Sequence, residues 1–498
     1  MKKKLIAALV ATALTAAGCG GSGNDSGDST PPPTTPPVTP VTPKNVIFFL
    51  GDGYGIVPMT ATRIYAAGEG GDLTIDTLPE TAFVKTYSLD AQVTDSAPSM
   101  AAYMTGVKTR NEVLGMNGDT VAVAPGRDAV TGVASAVNNC PATGNGAAAT
   151  TLLELAIAKG RATGVVTTAR LTHATPAATF AHVCHRNAEY EIARQAVPGG
   201  AGYNAALGTG VDVLMGGISQ YWRPVNATTN KSGRPDGRDL VAELQAKGYT
   251  FVSDLATFNA APTTATAKII GLYDFAVAEG HMSYELDRDP TKEPSLAEMT
   301  VKSMDILSKR EAGYFLMVEG GRIDHALHGT NAARALSDAK AFDDAIKAAI
   351  DKVKLTDPEL KNTLIVVTAD HDHTMVMNGY AAITGKTTAT SPGILGLMRD
   401  YTAPATPALD ADGKPFTTLV FGNGENRVAS RSAMTALTDT DVSAKNYHQE
   451  AVIPMSVGGE THGGSDVFLG ATGRGADNFH GVIDNTDVFA KIRAAVDL

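Results

Sequence analysis

Three short segments of this 498-residue chain set carboxylates and histidines at spacings that suit metal ions. Val46-Ile47-Phe48-Phe49-Leu50 runs into Gly51-Asp52-Gly53. Phe315-Leu316-Met317-Val318 runs into Glu319-Gly320-Gly321-Arg322-Ile323-Asp324-His325-Ala326-Leu327-His328. Leu364-Ile365-Val366-Val367 runs into Thr368-Ala369-Asp370-His371-Asp372-His373. Asp324 and His328 are four apart, on one face of a helical turn, so both can reach one ion. Asp370 and His371 at a strand end can be two ligands, or one ligand and a cap. Gathered at one place, Asp52, Glu319, Asp324 and Asp370 would repel one another and raise their own pKa values. Cations reverse that sign and turn the group into a trap for anions. A fourth segment, Thr94-Asp95-Ser96-Ala97-Pro98-Ser99-Met100, puts Ser96 where an extended stretch meets a helical pattern over 97–104. A hydroxyl there lies at the positive end of a helix, beside amides suited to a phosphate. Taken alone, Ser96 reads as an N-cap; beside a metal ion it reads as a nucleophile. There is no Gly-x-Ser-x-Gly elbow and no His-Glu-x-x-His.

The elements that must position these residues are legible in the same sequence. The three apolar runs, with Gly164–Thr167 and Val211–Met215, are β-branched and continuous, as in buried strands of a parallel sheet. Helical patterns alternate with them over 97–104, 151–159, 296–309 and 331–353. That alternation predicts an α/β fold with helices on both faces and the ligand site beyond the carboxyl ends of the strands. Residues 378–454 turn irregular, rich in Gly, Thr, Asn and Pro, and read as an insertion.

Lys2-Lys3-Lys4, an apolar stretch over 5–17 and Ala16-Ala17-Gly18-Cys19 have the layout of a secretory signal ending in a lipoprotein box. Residues 1–19 are thus expected to direct export, with Cys19 as a lipid anchor at the periplasmic or cell-surface side. Residues 20–43 hold seven prolines and no apolar periodicity, as in a semi-rigid tether. The catalytic domain is expected over 44–498. Export permits a disulfide between Cys140 and Cys184, with two buried free thiols as the alternative. The net charge of −11, without a long basic run, argues against nucleic-acid-specific binding.

Six ordered segments together resemble the bacterial and animal alkaline phosphatases. They are Asn45–Gly53, Thr94–Ala97, Val166–Ala177, Val318–His325, Thr368–His371 and Thr461–Gly464, and they span nearly all of the chain after Asn45. The resemblance implies a doubly wound αβα sandwich with a mostly parallel sheet, two zinc ions, one magnesium ion and a homodimer. One zinc would be held by Asp324, His328 and His462, the second by Asp52, Asp370 and His371 beside Ser96. Magnesium would take Asp52, Glu319 and Thr175, with His173 nearby. Arg186 would grip the phosphate, with His173 and His325 beside it. The implied activity is hydrolysis of small phosphomonoesters of broad range through a phosphoserine at Ser96. His173 and His325 stand where some bacterial members carry Asp and Lys and animal members carry His. The Glu that animal members use for an added calcium is Ala278 here, so a fourth metal site is not expected. Ser96-Ala97-Pro98-Ser99 begins the sulfatase pattern, but Met100 replaces its Arg. A phosphodiesterase of the same superfamily, or a surface lipoprotein that binds metal or phosphate without turnover, are the remaining alternatives.

Overall fold

The apolar runs become strands because both of their faces are covered; Val46, Ile47, Phe48, Phe49 and Leu50 are all buried, and such side chains pack well on a pleated surface under helices. The computed structural model describes residues 44–126, 136–141, 143–276 and 280–498, all within one unit over 41–498. The signal segment, Cys19, the tether and Ala278 lie outside the described residues. In chain order the strands are β1 Asn45–Gly51, β2 Glu80–Lys85, β3 Ala162–Arg170, β4 Val213–Gly217, β5 Tyr249–Val252, β6 Lys268–Tyr273, β7 Tyr314–Gly320, β8 Thr363–Ala369, β9 Asp372–His373, β10 Met375–Met377, β11 Leu419–Gly424, β12 Ala451–Pro454, β13 His462–Gly463, β14 Val467–Gly473 and β15 Gly481–Asp484. The main sheet has ten strands in the order β15-β2-β14-β8-β1-β7-β3-β4-β6-β5. From β8 to β5 every pair is parallel, whereas β14 runs antiparallel to both β8 and β2. This is the α/β architecture, with helices on both faces of a mostly parallel sheet.

The four helices read from sequence form as Ser96–Thr105, Leu152–Ala158, Leu296–Leu307 and Ala332–Lys354. Local chemistry fixes their starts. Thr151 with Glu154 and Ser295 with Glu298 make reciprocal capping boxes, and the Asn331 side chain accepts from the Arg334 amide; each satisfies amides a helix start leaves unpaired. The last helix buries an Ala-rich face that includes Leu336, Phe342 and Ile346, and ties its outer face with Lys340–Asp344 and Lys347–Asp351 pairs.

Residues 378–454 are more ordered than their composition suggests. β11 and β12 lie inside this stretch and join β10 in a separate three-stranded sheet. Gly422, Asn423 and Gly424 at the end of β11 interrupt its hydrophobic pattern and hid the strand. Cys140 and Cys184 form a disulfide, so the free-thiol alternative falls. Among the described residues, no helix is long and apolar enough to cross a membrane.

Candidate active site

The register of the central strands builds the site. β1 lies between β7 and β8, with Gly51 opposite both Gly320 and Ala369, and Leu50 opposite Glu319. Asp52 and Asp370, each one residue past its strand, therefore emerge side by side, with Glu319 at the end of the neighbouring strand. Parallel strands are about 4.8 Å apart, so three carboxylates share a few ångströms of rim. Gly53 permits the turn: its φ is 66°, its amide donates to Asp370 Oδ1 at 3.0 Å, and a Cβ there would meet His373 Nε2 at 2.4 Å.

Ser96 opens the helix Ser96–Thr105, but it is not the cap. The capping side chain is Asp95, which accepts from the Ala97 amide at 2.9 Å. That frees the Ser96 hydroxyl, which lies 3.3 Å from Asp52 Oδ1 and 3.2 Å from His371 Nε2. His371 Nε2 is in turn 3.4 Å from both Asp52 Oδ1 and Asp370 Oδ2. Donors around a tetrahedral zinc stand roughly 3.3–3.5 Å apart, given bonds of about 2.0–2.2 Å. Asp52, Asp370, His371 and Ser96 show that spacing.

A second group repeats it. His328 Nε2 is 3.3 Å from Asp324 Oδ1 and 3.2 Å from His462 Nε2, which is 3.7 Å from the same Asp324 oxygen. His462 comes from far along the chain and is delivered by the two-stranded ladder in which it pairs with His373. Beyond it, donor atoms of Asp52, His173 and Glu319 lie within 4.8 Å of one another, and Thr175 Oγ1 is 3.4 Å from Asp52 Oδ2. Glu319 Oε1 and His173 Nδ1 are buried without a hydrogen-bond partner among the described residues. Oxygen-rich donors of this kind fit a hard cation.

The electrostatics agree with that donor set. Burial, then the charge of Asp324, pushes Asp52 up to about 7. Burial, then Asp52, pushes Asp370 to about 8, and the same two causes hold Glu319 well above the carboxylate range. Burial holds His371, His462, His173 and His325 below the usual imidazole value, leaving neutral rings able to donate lone pairs. These are acids that resist ionising together and imidazoles that resist protonation, which is what bound cations relieve.

Arg186 sits beside this centre. Its Nη1 pairs with Asp95 Oδ1 at 2.5 Å and its Nη2 donates to His173 Nε2 at 2.9 Å. The His173 and His325 rings are 5.3 Å apart between centroids. All the residues singled out from sequence thus converge on one rim. Four others were not singled out. His373 donates from Nε2 to Asp324 Oδ1 at 2.8 Å and from Nδ1 to Glu460 Oε2 at 2.6 Å. Burial disfavours its charge, but Glu460 and Asp324 outweigh that and hold its pKa well above normal. Asp95 braces Arg186, and His281 packs 3.9 Å from His325. The signal for two of them was present: His373 and Glu460 each stand two residues from a ligand, in Asp-His-Asp-His and Glu-Thr-His.

A family model for alkaline phosphatase matches residues 43–498. The chain belongs to the alkaline phosphatase family. Its relatives include the tissue-nonspecific alkaline phosphatase of Gallus gallus, 35% identical over 464 residues that cover 88% of this chain and 82% of the relative. The alkaline phosphatase of Gadus morhua is 34% identical, covering 88% of each. Among solved structures, the Thermus thermophilus alkaline phosphatase shares the fold with a TM-score of 0.62 at 24% identity, covering 95% of this chain and 96% of that one. The enzyme of the Antarctic bacterium TAB5 aligns with a TM-score of 0.60 over 92% of this chain and 99% of its own. The alkaline phosphatase fold and phosphomonoesterase class are thereby set, and the clustered ligands mark a metal-dependent site.

Proposed function

We propose that this alkaline phosphatase hydrolyses a broad range of phosphomonoesters through a phosphoserine at Ser96. One zinc ion would be held by Asp324, His328 and His462, a second by Asp52, Asp370 and His371, and a magnesium ion by Asp52, Glu319 and Thr175 with His173 nearby. Bound there, these cations would neutralise the clustered carboxylates, lower the pKa of the serine hydroxyl and stabilise charge on the leaving oxygen. The observation that carries the reading is the Ser96 hydroxyl, 3.3 Å from Asp52 and 3.2 Å from His371 at metal-ligand spacing.

The chain's own groups then divide the work. Arg186 holds two non-bridging phosphate oxygens with its planar fork, which a lysine could not match, and Asp95 keeps that fork aimed. Ser96 Oγ bonds to phosphorus as the ester oxygen departs as alcohol. Water then cleaves the phosphoserine, releasing inorganic phosphate and restoring the hydroxyl. Since these groups grip only the phosphoryl moiety, the alcohol is loosely constrained. Ser96→Ala should lower phosphate release from p-nitrophenyl phosphate by about a thousandfold or more while elemental analysis still finds the metals. Retained turnover, or faster cleavage of bis-p-nitrophenyl phosphate than of the monoester, would overturn the reading.

The protein is further proposed to be exported and lipid-anchored through Cys19, so that Cys19→Ser should shift it from the membrane to the soluble fraction. It is also proposed to be a homodimer, in which a second copy would cover the exposed apolar side chains Tyr380 and Ile383 of the insertion and Val457 just beyond it. A monomeric mass by light scattering would refute the latter.

A further inference from the structure

Beside the phosphate-gripping arginine lies a cavity of about 310 Å³, lined by Glu112, Arg170, His173, Arg186, Asn187 and Glu189. Its charges are nearly matched. Arg186 is paired with Asp95 at 2.5 Å and Arg170 with Glu189 at 2.9 Å. Glu112 differs: its ion pair is with the imidazole of His185, at 3.6 Å, and its side chain is 44% exposed. Its backbone is also unusual. The φ of Glu112 is 70°, a region that side chains other than glycine rarely occupy. Two bonds from the phosphate-gripping pair hold it there: its amide donates to Asp95 Oδ2 and its carbonyl accepts from the Arg186 amide at 2.7 Å. The same contacts that fix Arg186 therefore fix the Glu112 backbone at the cavity, and with it the point from which its side chain leaves the chain. Backbone strain kept at a functional site is a pointer to a role there.

We propose that Glu112 selects among phosphomonoesters by the charge of the leaving alcohol, favouring neutral and cationic alcohols and opposing those with a second anion. The proposal rests on the phosphomonoesterase reading above. A phosphoryl group held by Arg186 sits at one wall of this cavity, so an alcohol extending from it meets the Glu112 charge across a partly hydrated gap. Burial and the neighbouring Asp95 push the Glu112 pKa up, yet at alkaline pH it carries its charge. Unit charges about 8 Å apart under such screening alter relative rates by about two- to tenfold.

The test uses the full chain with zinc and magnesium supplied and compares choline phosphate, 2-hydroxyethyl phosphate and carboxymethyl phosphate. Their alcohols are cationic, neutral and anionic. Normalised to the neutral ester, Glu112→Gln should raise kcat/KM for carboxymethyl phosphate and lower it for choline phosphate, each by about two- to tenfold. Glu112→Gly, which suits the positive φ, should give the same two ratios. In the unaltered protein, raising salt to about 1 M should collapse the preference among the three esters, a check that needs no variant to fold. Equal shifts for all three esters, or wild-type ratios indifferent to salt, would overturn the proposal. Failure to release phosphate from any of them, or from p-nitrophenyl phosphate, would instead sink the phosphatase reading itself.

Discussion

Glu460 is the most informative residue to perturb, because it supports proposed ligands without being one: its backbone amide donates to the His328 carbonyl at 3.2 Å, its own carbonyl faces His328 Nδ1 at 2.5 Å, and its carboxylate lies 3.8 Å from that nitrogen. Its carboxylate is buried and accepts from His373 Nδ1 at 2.6 Å, the Thr374 amide at 2.8 Å and the Thr374 hydroxyl at 2.5 Å. His373 spans two carboxylates, Glu460 and Asp324, and so holds an oxygen of the latter where a cation would bind. Glu460→Gln keeps the shape and the bonds to Thr374 but removes the charge facing His373. A buried charge-assisted hydrogen bond is worth about 1.5–3 kcal/mol, and loss of an outer support of a metal site costs about 10- to 100-fold in metal affinity. The two figures agree, since tenfold is about 1.4 kcal/mol. The assay is titration of metal-stripped protein with zinc against a chromophoric chelator, together with phosphate release at limiting and at saturating zinc. The expected result is weaker zinc binding with activity recovered at saturation. Zinc affinity within about twofold of the unaltered protein, with only thermal stability lowered, would show that Glu460 is a packing residue and that the chain of contacts to Asp324 transmits nothing.

Three further outcomes follow from the same geometry. Asp52 and Asp370, pushed to about 7 and about 8, hold protons in the folded metal-free protein that the unfolded chain has lost above about pH 4. The unfolded state then binds fewer protons, so metal-free stability should fall as pH rises from about 4 and level off above 7 to 8. Added zinc and magnesium should remove that fall, and parallel melting curves with and without metal across this window would refute it. The Cys140–Cys184 disulfide closes a 44-residue separation and ends two residues before Arg186. Replacing both cysteines by serine should lower stability by about 2–4 kcal/mol and raise the inhibition constant for phosphate, read by denaturant melts and by competition assays. His325 is held neutral by burial beside Arg322. His325→Lys should add a permanent charge near the phosphate and tighten product inhibition several-fold; an unchanged inhibition constant would refute that role.

Much of this protein is legible along the chain. The strands β1, β3, β4, β7 and β8 announce themselves because burial on both faces demands continuous β-branched and aromatic runs, and the helix starts because capping is local. The acidic and histidine residues after β1, β7 and β8 are legible for the same reason: in a parallel sheet, strand ends point to one rim. β2, β14 and β15 were not legible. β2 alternates buried Ala82 and Val84 with exposed Phe83 and Lys85, and β14 owes its place to pairing with strands remote in sequence.

Within the site, residue type and spacing determined which side chains could bind cations and which hydroxyl could attack. Only the tertiary structure decided how they meet: that Gly51 stands level with Gly320 and Ala369, that His462 is brought in by pairing with His373, and that Asp95 rather than Ser96 caps its helix. It also decided where the Glu112 backbone is held, since that depends on bonds to Asp95 and Arg186, 17 and 74 residues away. Sequence records periodicity and local chemistry, which act over a few residues. Register and long-range hydrogen bonds arise only when the sheet forms, and here they turn a scattered set of acids and imidazoles into groups at metal-ligand spacing.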